Sequence, residues 1–214
     1  MDSFERLRLE MVEDQLVSRG IKEPKVLAVF RRVPRHEFIP AQYRAAAYDD
    51  FPLPIGGEQT ISQPYIVALI TEMMEISKED KILEIGTGSG YHTAILAELC
   101  RRVYTMERIE SLSLGAREVL VKLGYTNIEF VSGDGTEGYL EAAPYNRIVV
   151  GAGCPDVPPP LLEQLAEGGK LLVPVGDRYL QRLTVVTKNQ GKISREKTID
   201  CRFVPLIGKY GWQD

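Results

Sequence analysis

Apolar positions recur along this chain in two rhythms, and the switch between them divides it. Near the start, Leu7, Met11, Val12 and Leu16 fall on one helical face, which predicts a helix over 3–19 that opens at Ser3 and that Gly20 ends. Pro24 opens a second helix carrying Val26, Leu27 and Phe30. Over 34–63 the periodicity lapses into Pro, Gly and polar residues, which predicts one long loop of the kind that usually carries function. Thereafter short apolar runs alternate with helical stretches: helices over 64–74, 91–100, 110–123 and 160–166, and strands over 81–85, 102–106, 128–131, 147–150 and 170–175. Such alternation predicts right-handed βαβ units in a mostly parallel sheet with helices on both faces. Strands over 183–187 and 193–199, with a turn at Gln190-Gly191, predict an antiparallel C-terminal hairpin, and an apolar run over 203–207 follows it.

With 214 residues the chain has the size of one domain, and 44% hydrophobic with 26% charged residues is ordinary for a globular protein that needs no staples. A formal net charge of −4 gives no basic field for nucleic acid. Neither a signal peptide nor an apolar stretch near 18 residues is present, so a non-membrane, cytoplasmic protein is expected. Three widely spaced cysteines fit a reducing compartment and suit neither a disulfide framework nor a metal site.

The strongest chemical signal is the strand ending Glu84-Ile85-Gly86-Thr87-Gly88-Ser89-Gly90. Glycines there let the backbone turn at the strand's C-terminal edge and approach a ligand closely. A dinucleotide fingerprint would need glycine at position 91, which is Tyr91. Glu107 ends the next strand, where a carboxylate can accept ribose hydroxyls, and Gly133-Asp134-Gly135 follows the one after, where side chain and backbone can read adenine. After the fourth strand stands Gly151-Ala152-Gly153-Cys154, without the Asp/Asn-Pro-Pro-aromatic motif of base-amine methylation. His36 and Cys154 read as structural, and His92 as a surface helical residue.

The spacing E-x-G-x-G-x-G resembles that of S-adenosylmethionine-dependent methyltransferases. Together with Thr60-Ile61-Ser62-Gln63-Pro64, Gly133-Asp134-Gly135, the 168–176 strand and Arg202-Phe203-Val204-Pro205-Leu206, it resembles the protein-L-isoaspartate (D-aspartate) O-methyltransferase family over nearly the whole chain. That resemblance implies a Rossmann-like fold, S-adenosyl-L-methionine as donor with S-adenosyl-L-homocysteine as product, no metal, and methylation of L-isoaspartyl and D-aspartyl carboxylates in flexible segments of damaged proteins. It assigns Ser62 as the active-site hydroxyl; Ser two residues before Pro64 is also capping chemistry for the helix that Pro64 opens, and the two roles are compatible. Around the cofactor it places Thr60, Ile61, Gln63, Glu84, Gly86, Thr87, Gly88, Gly90, Glu107, Arg108, Asp134 and Gly135; around the substrate, Ile61, Ser62, Val204, Pro205 and Leu206. The expected protein is a monomeric single domain over 1–214: N-terminal helices and active-site loop (1–63), cofactor-binding core (64–188) and closing strands (189–214). A methyltransferase acting on a small molecule or RNA remains the alternative at this point.

Overall fold

The computed structural model describes residues 3–213. Helix α1 (Ser3–Met11) continues into a π-helical segment (Val12–Val17), and Ile21 and α2 (Pro24–Arg32) bring the chain back across it. Met11, Val12, Leu16, Val26 and Phe30 are buried, as the one-sided pattern requires.

The stretch over 34–63 is more ordered than its composition suggests. Two short 3₁₀ helices (Arg35–Phe38 and Ala41–Ala46) lead into a hairpin of β1 (Leu53–Gly56) and β2 (Gln59–Ile61), turned through Gly57 and Glu58, both at positive φ. With only four and three residues and a proline inside β1, this two-stranded pair gives almost no periodicity to read. Its importance is positional, because β2 delivers the chain to Ser62 just before α3 (Pro64–Met73).

The core sheet is built from β3 (Lys81–Ile85), β4 (Arg102–Glu107), β5 (Ile128–Ser132), β6 (Tyr145–Val150), β7 (Leu165–Gly176), β8 (Gln181–Asn189) and β9 (Lys192–Cys201). Its order is β5-β4-β3-β6-β7-β8-β9, parallel through β7 and antiparallel thereafter. Helices α4 (Tyr91–Leu99), α5 (Glu110–Lys122) and α6 (Pro159–Glu163) make the crossovers. The expected 160–166 helix is shorter at its C-terminal end, because Leu165 already pairs with Tyr145 as the first residue of β7. Adjacent strand residues serve opposite faces. Ile82, Val149 and Leu172 join the cluster under α1–α4, whereas Leu83, Ile148, Leu171 and Val173 join the one under α6 and Leu206.

Chain order runs outward from β3 to β4 and β5, then restarts on the other side with β6. Between β3 and β6 the loops at the carboxyl ends diverge and leave a crevice, the usual ligand position in an open α/β sheet. Gly90 closes the loop after β3 and caps α4 at φ +86°, with its Cα facing α5 so closely that a Cβ would stand 3.1 Å from Ala116 and Leu120. Gly90→Ala is expected to cost about 2 kcal/mol, from left-handed strain and crowding together, read as a lowered urea midpoint with unchanged slope.

Candidate active site

The crevice holds a cavity of about 400 Å³, within the range of small-molecule sites. The turn after β3 forms its floor. Gly86 N–H donates to the Met106 carbonyl at 2.8 Å, and Gly88 N–H donates to Glu107 Oε2 at 3.0 Å. The other oxygen of Glu107 accepts the N–H groups of Arg108 and Ile109, at 2.9 and 3.0 Å. A carboxylate fed by three backbone donors is fixed in place, and it borders the cavity with lone pairs left over.

Glu84 plays a different part. It is buried on β3, and its Oε2 accepts the hydroxyls of Thr93 at 2.5 Å and Thr105 at 2.7 Å; Thr87 in turn lies 2.6 Å from Thr105. Burial pushes the Glu84 carboxyl up to about 7, against the opposing pull of those two hydroxyls and with a further push from Glu107. His92 Nδ1 stands 3.9 Å from Glu84 Oε1, while its Nε2 lies 3.1 Å from Thr71 Oγ1. Since the Thr71 hydroxyl is given to the Val67 carbonyl, Nε2 is the protonated nitrogen, and burial holds the imidazole down to about 4, neutral at pH 7. His92 is therefore part of the cavity wall and not the surface residue expected from its helix position.

The rest of the cavity wall is supplied by both ends of the chain. Thr60, Ile61 and Ser62 line the cavity from β2, and Ser62 also borders a second cavity of about 230 Å³. Ser62 Oγ makes no hydrogen bond among the described residues; Gln63 occupies the N-cap of α3 and provides no side-chain cap, so the capping alternative for Ser62 is not realised. The Ser62 carbonyl is gripped instead. Arg35, wholly buried, donates from Nη2 to it at 2.8 Å and from Nε to the Ala47 carbonyl at 2.8 Å, with its guanidinium 4.9 Å from the Tyr91 ring centroid. Burial lowers the Arg35 guanidinium to about 10, opposed by Tyr91 and Tyr48, and it stays charged at neutral pH.

Opposite, the apolar run after β9 lies beside the end of β6. Leu206 N–H donates to the Gly153 carbonyl and Gly153 N–H to the Val204 carbonyl, both at 2.8 Å, which brings Val204, Pro205 and Leu206 to the cavity. Asp134 secures the continuation. Its Oδ1 accepts the Thr136 N–H and hydroxyl, and its Oδ2 accepts the Lys209 N–H at 2.8 Å. Burial alone would raise the Asp134 carboxyl, but these donors hold it below the usual carboxylate range.

Of the residues singled out in the sequence, Thr60, Ile61, Ser62, Glu84, Gly86, Thr87, Gly88, Glu107, Arg108 and Gly135 meet around the main cavity with 204–206. Gln63 borders only the second cavity, and its side chain donates to the Asp50 carbonyl. Gly90 and Asp134 border neither, the one being turned to α5 and the other to Lys209. Ile207, at the end of the apolar run expected to close over the site, also lines the cavity, whereas sequence reasoning passed over Ile109, Arg178 and the 149–152 segment. A signal existed for the last: Gly151 follows β6, and a Cβ there would stand 3.3 Å from the Ile85 carbonyl oxygen. Among the described residues no group of His, Cys, Asp and Glu is arranged to hold a metal ion.

Glu84 titrates near 4.5 when unfolded and near 7 when folded, so the folded chain holds its proton more firmly between those values. Stability is accordingly lost from pH 4.5 upward through 7. Glu84→Gln should gain on the native protein by up to about 3 kcal/mol over that rise, read as a pairwise difference in urea unfolding at each pH. Arg35→Lys, which keeps the charge but cannot fork to two carbonyls, should lose about 1–2 kcal/mol in the same measurement.

A family model described as protein-L-isoaspartate(D-aspartate) O-methyltransferase matches residues 7–211. The protein-L-isoaspartate O-methyltransferase 2 of Geotalea uraniireducens is 53% identical over 213 residues, 99% of this chain and 98% of its own. That of Geobacter metallireducens is 53% identical over 211 residues, 98% of either chain. A Plasmodium falciparum structure described as a protein-L-isoaspartate O-methyltransferase in complex with S-adenosyl-L-homocysteine superposes with a TM-score of 0.82 at 26% identity, covering 94% of this chain and 98% of that one. A further solved protein-L-isoaspartate O-methyltransferase gives 0.83 at 28% identity, covering 97% and 67%. With a matching model over nearly its full length and relatives at half identity end to end, the chain belongs to the protein-L-isoaspartate(D-aspartate) O-methyltransferase family.

Proposed function

We infer that this chain transfers a methyl group from S-adenosyl-L-methionine to the free carboxylate of L-isoaspartyl residues in proteins, the first step of repair through a succinimide. The observation that carries the reading is the free Ser62 hydroxyl facing the same cavity as the glycine turn and the backbone-fixed Glu107 carboxylate.

The cavity suits the donor. The turn over 86–88 would follow its methionine part, with Gly86 at φ +91° and facing Gly151 across the crevice, where a Cβ would stand 3.8 Å from the Gly151 Cα. Glu107, held by Gly88, Arg108 and Ile109, would take the ribose hydroxyls with its remaining lone pairs. Gly135 would lie under the adenine, while the Asp134 carboxylate serves to anchor the 204–209 segment over it. When bound, the cofactor supplies a methyl group on a sulfonium, ready for in-line displacement.

The chain's own residues have a modest task. An isoaspartyl α-carboxylate, with a pKa near 3.5, is already ionised at neutral pH and needs no general base. Ser62 donates a hydrogen bond to one carboxylate oxygen and aims the other at the methyl group. Arg35 holds the Ser62 backbone still for that purpose. Val204, Pro205 and Leu206 exclude water from the other side, and alignment of this kind is worth up to roughly 7–11 kcal/mol.

The 64–188 unit holds the cofactor, and 1–63 with 189–214 furnish the acceptor side within one domain. One chain completes the site, which fits a monomer acting on flexible or unfolded isoaspartyl segments and not on nucleic acid. Free Cys100, Cys154 and Cys201 suit the reducing cytoplasm, and no helix among the described residues is long and apolar enough to cross a membrane.

Labelled S-adenosylmethionine offered with an isoaspartyl peptide, its aspartyl twin and RNA should label the isoaspartyl peptide alone, as a base-labile ester. Labelling of RNA alone would overturn the reading. Ser62→Ala should lower kcat/KM about ten- to a hundredfold, the worth of one hydrogen bond to a charged group, and undiminished turnover would remove Ser62 from its role.

A further inference from the structure

The two cavities meet at Ser62. They share Thr60, Ser62, Gly151, Phe203 and Val204, but the glycine turn borders only the larger one. The smaller cavity therefore continues past the acceptor hydroxyl on a side the cofactor loop does not reach. If the isoaspartyl carboxylate sits at Ser62, the neighbouring residue of the same peptide falls here. The inference rests on the isoaspartyl reading given above.

Its walls are unequal. Pro52, Ile66 and Phe203 make an apolar body, and Arg202 contributes an exposed cation. Of the acidic residues close by in the chain, Asp50 pairs with Arg19 and Asp200 with Arg182, each at 2.9 Å. Arg202 itself makes no hydrogen bond or ion pair among the described residues. In a chain with net charge −4, an unpaired guanidinium beside the acceptor serine is a local reversal of sign. Guanidinium groups meet carboxylates through two parallel hydrogen bonds, and a peptide side chain in this cavity has an apolar bed for its stem.

We propose that the smaller cavity is a subsite for the residue flanking the isoaspartate, and that Arg202 makes it prefer an acidic side chain. Recognition by this enzyme is then selective at one flanking position, on top of the backbone contacts that let it act on many sequences.

The experiment uses three isoaspartyl peptides, amidated at the C-terminus to exclude a terminal carboxylate, with Glu, Gln or Lys beside the isoaspartate, each placed in turn on the N- and C-terminal side. For one of the two sides, kcat/KM for the Glu peptide should exceed that for the Gln peptide by about fivefold, the size of an exposed ion pair, and the ratio should shrink as salt is raised. In Arg202→Gln the ratio should fall to about one, and Arg202→Glu should favour the Lys peptide. Because each ratio is taken within one enzyme, a general loss of activity does not mimic the effect. Equal rates on Glu and Gln peptides from both sides, or an unchanged ratio in Arg202→Gln, would overturn the subsite while leaving the methyltransferase reading standing. No methylation of any isoaspartyl peptide would overturn that reading and the subsite with it.

Discussion

A guanidinium buried without a carboxylate partner is the interaction on which the Ser62 wall of the cavity depends. Arg35 has no solvent contact, so its charge is tolerated only through the carbonyls of Ala47 and Ser62 and the face of Tyr91. Those three partners come from the irregular stretch before the sheet, from the residue after β2, and from the first turn of α4 just beyond the glycine loop. Desolvation of an unpaired charge is expensive, so the three segments must be in register for the fold to hold the arginine at all. The same requirement places Ser62 relative to the glycine turn after β3. Phe30 and Phe38 pack edge-on against Tyr91, at 6.1 and 5.7 Å between ring centroids, and remove the slack that would let this junction shift.

Three acidic residues at successive strand ends show how differently one chemical group is used. Glu84, deep on β3, is raised toward neutrality by burial and serves as a polar anchor between Thr93 and Thr105. Glu107 is fed by backbone N–H groups and remains available to a ligand. Asp134 spends its oxygens on Thr136 and Lys209 and so tethers the C-terminal segment to the sheet. The distinction follows from where each acid sits: Glu84 one residue inside the end of β3, Glu107 as the last residue of β4, and Asp134 two residues beyond β5. In a negatively charged molecule whose substrate is itself a carboxylate, this matters. Glu84 is raised toward neutrality and Asp134 is tied down, and the cations Arg178 and Arg202 border the two cavities.

Much of this was legible from residue order. The short run Ile82-Leu83-Glu84-Ile85 read as a buried strand because it leads straight into three glycines at alternate positions, which read as a turn at its end. The β8–β9 hairpin was legible because Gln190 and Gly191 both take positive φ, as a two-residue turn demands. What was illegible has physical causes. The β1–β2 hairpin is too short, and too interrupted by proline, to show alternation. The helix around Leu161 stops early because Leu165 finds a strand partner in Tyr145, and sequence-local propensity carries no trace of that pairing. His92 looked like a surface residue because its helix is apolar almost all round, so no single face marks the buried side.

The sequence by itself determined the parallel sheet and the glycine turn, because hydrophobic periodicity and glycine backbone freedom are properties of adjacent residues; Ser62 stood out only through the family resemblance of the stretch around it. Only the tertiary structure decided what those groups do together. Ser62 lacks a capping partner, Arg35 binds a carbonyl 27 residues away, and Asp134 holds Lys209 from 75 residues away. Such bonds are set by which surfaces the folded sheet brings within 3 Å, and burial then sets the charge state of each group; neither is written in local order.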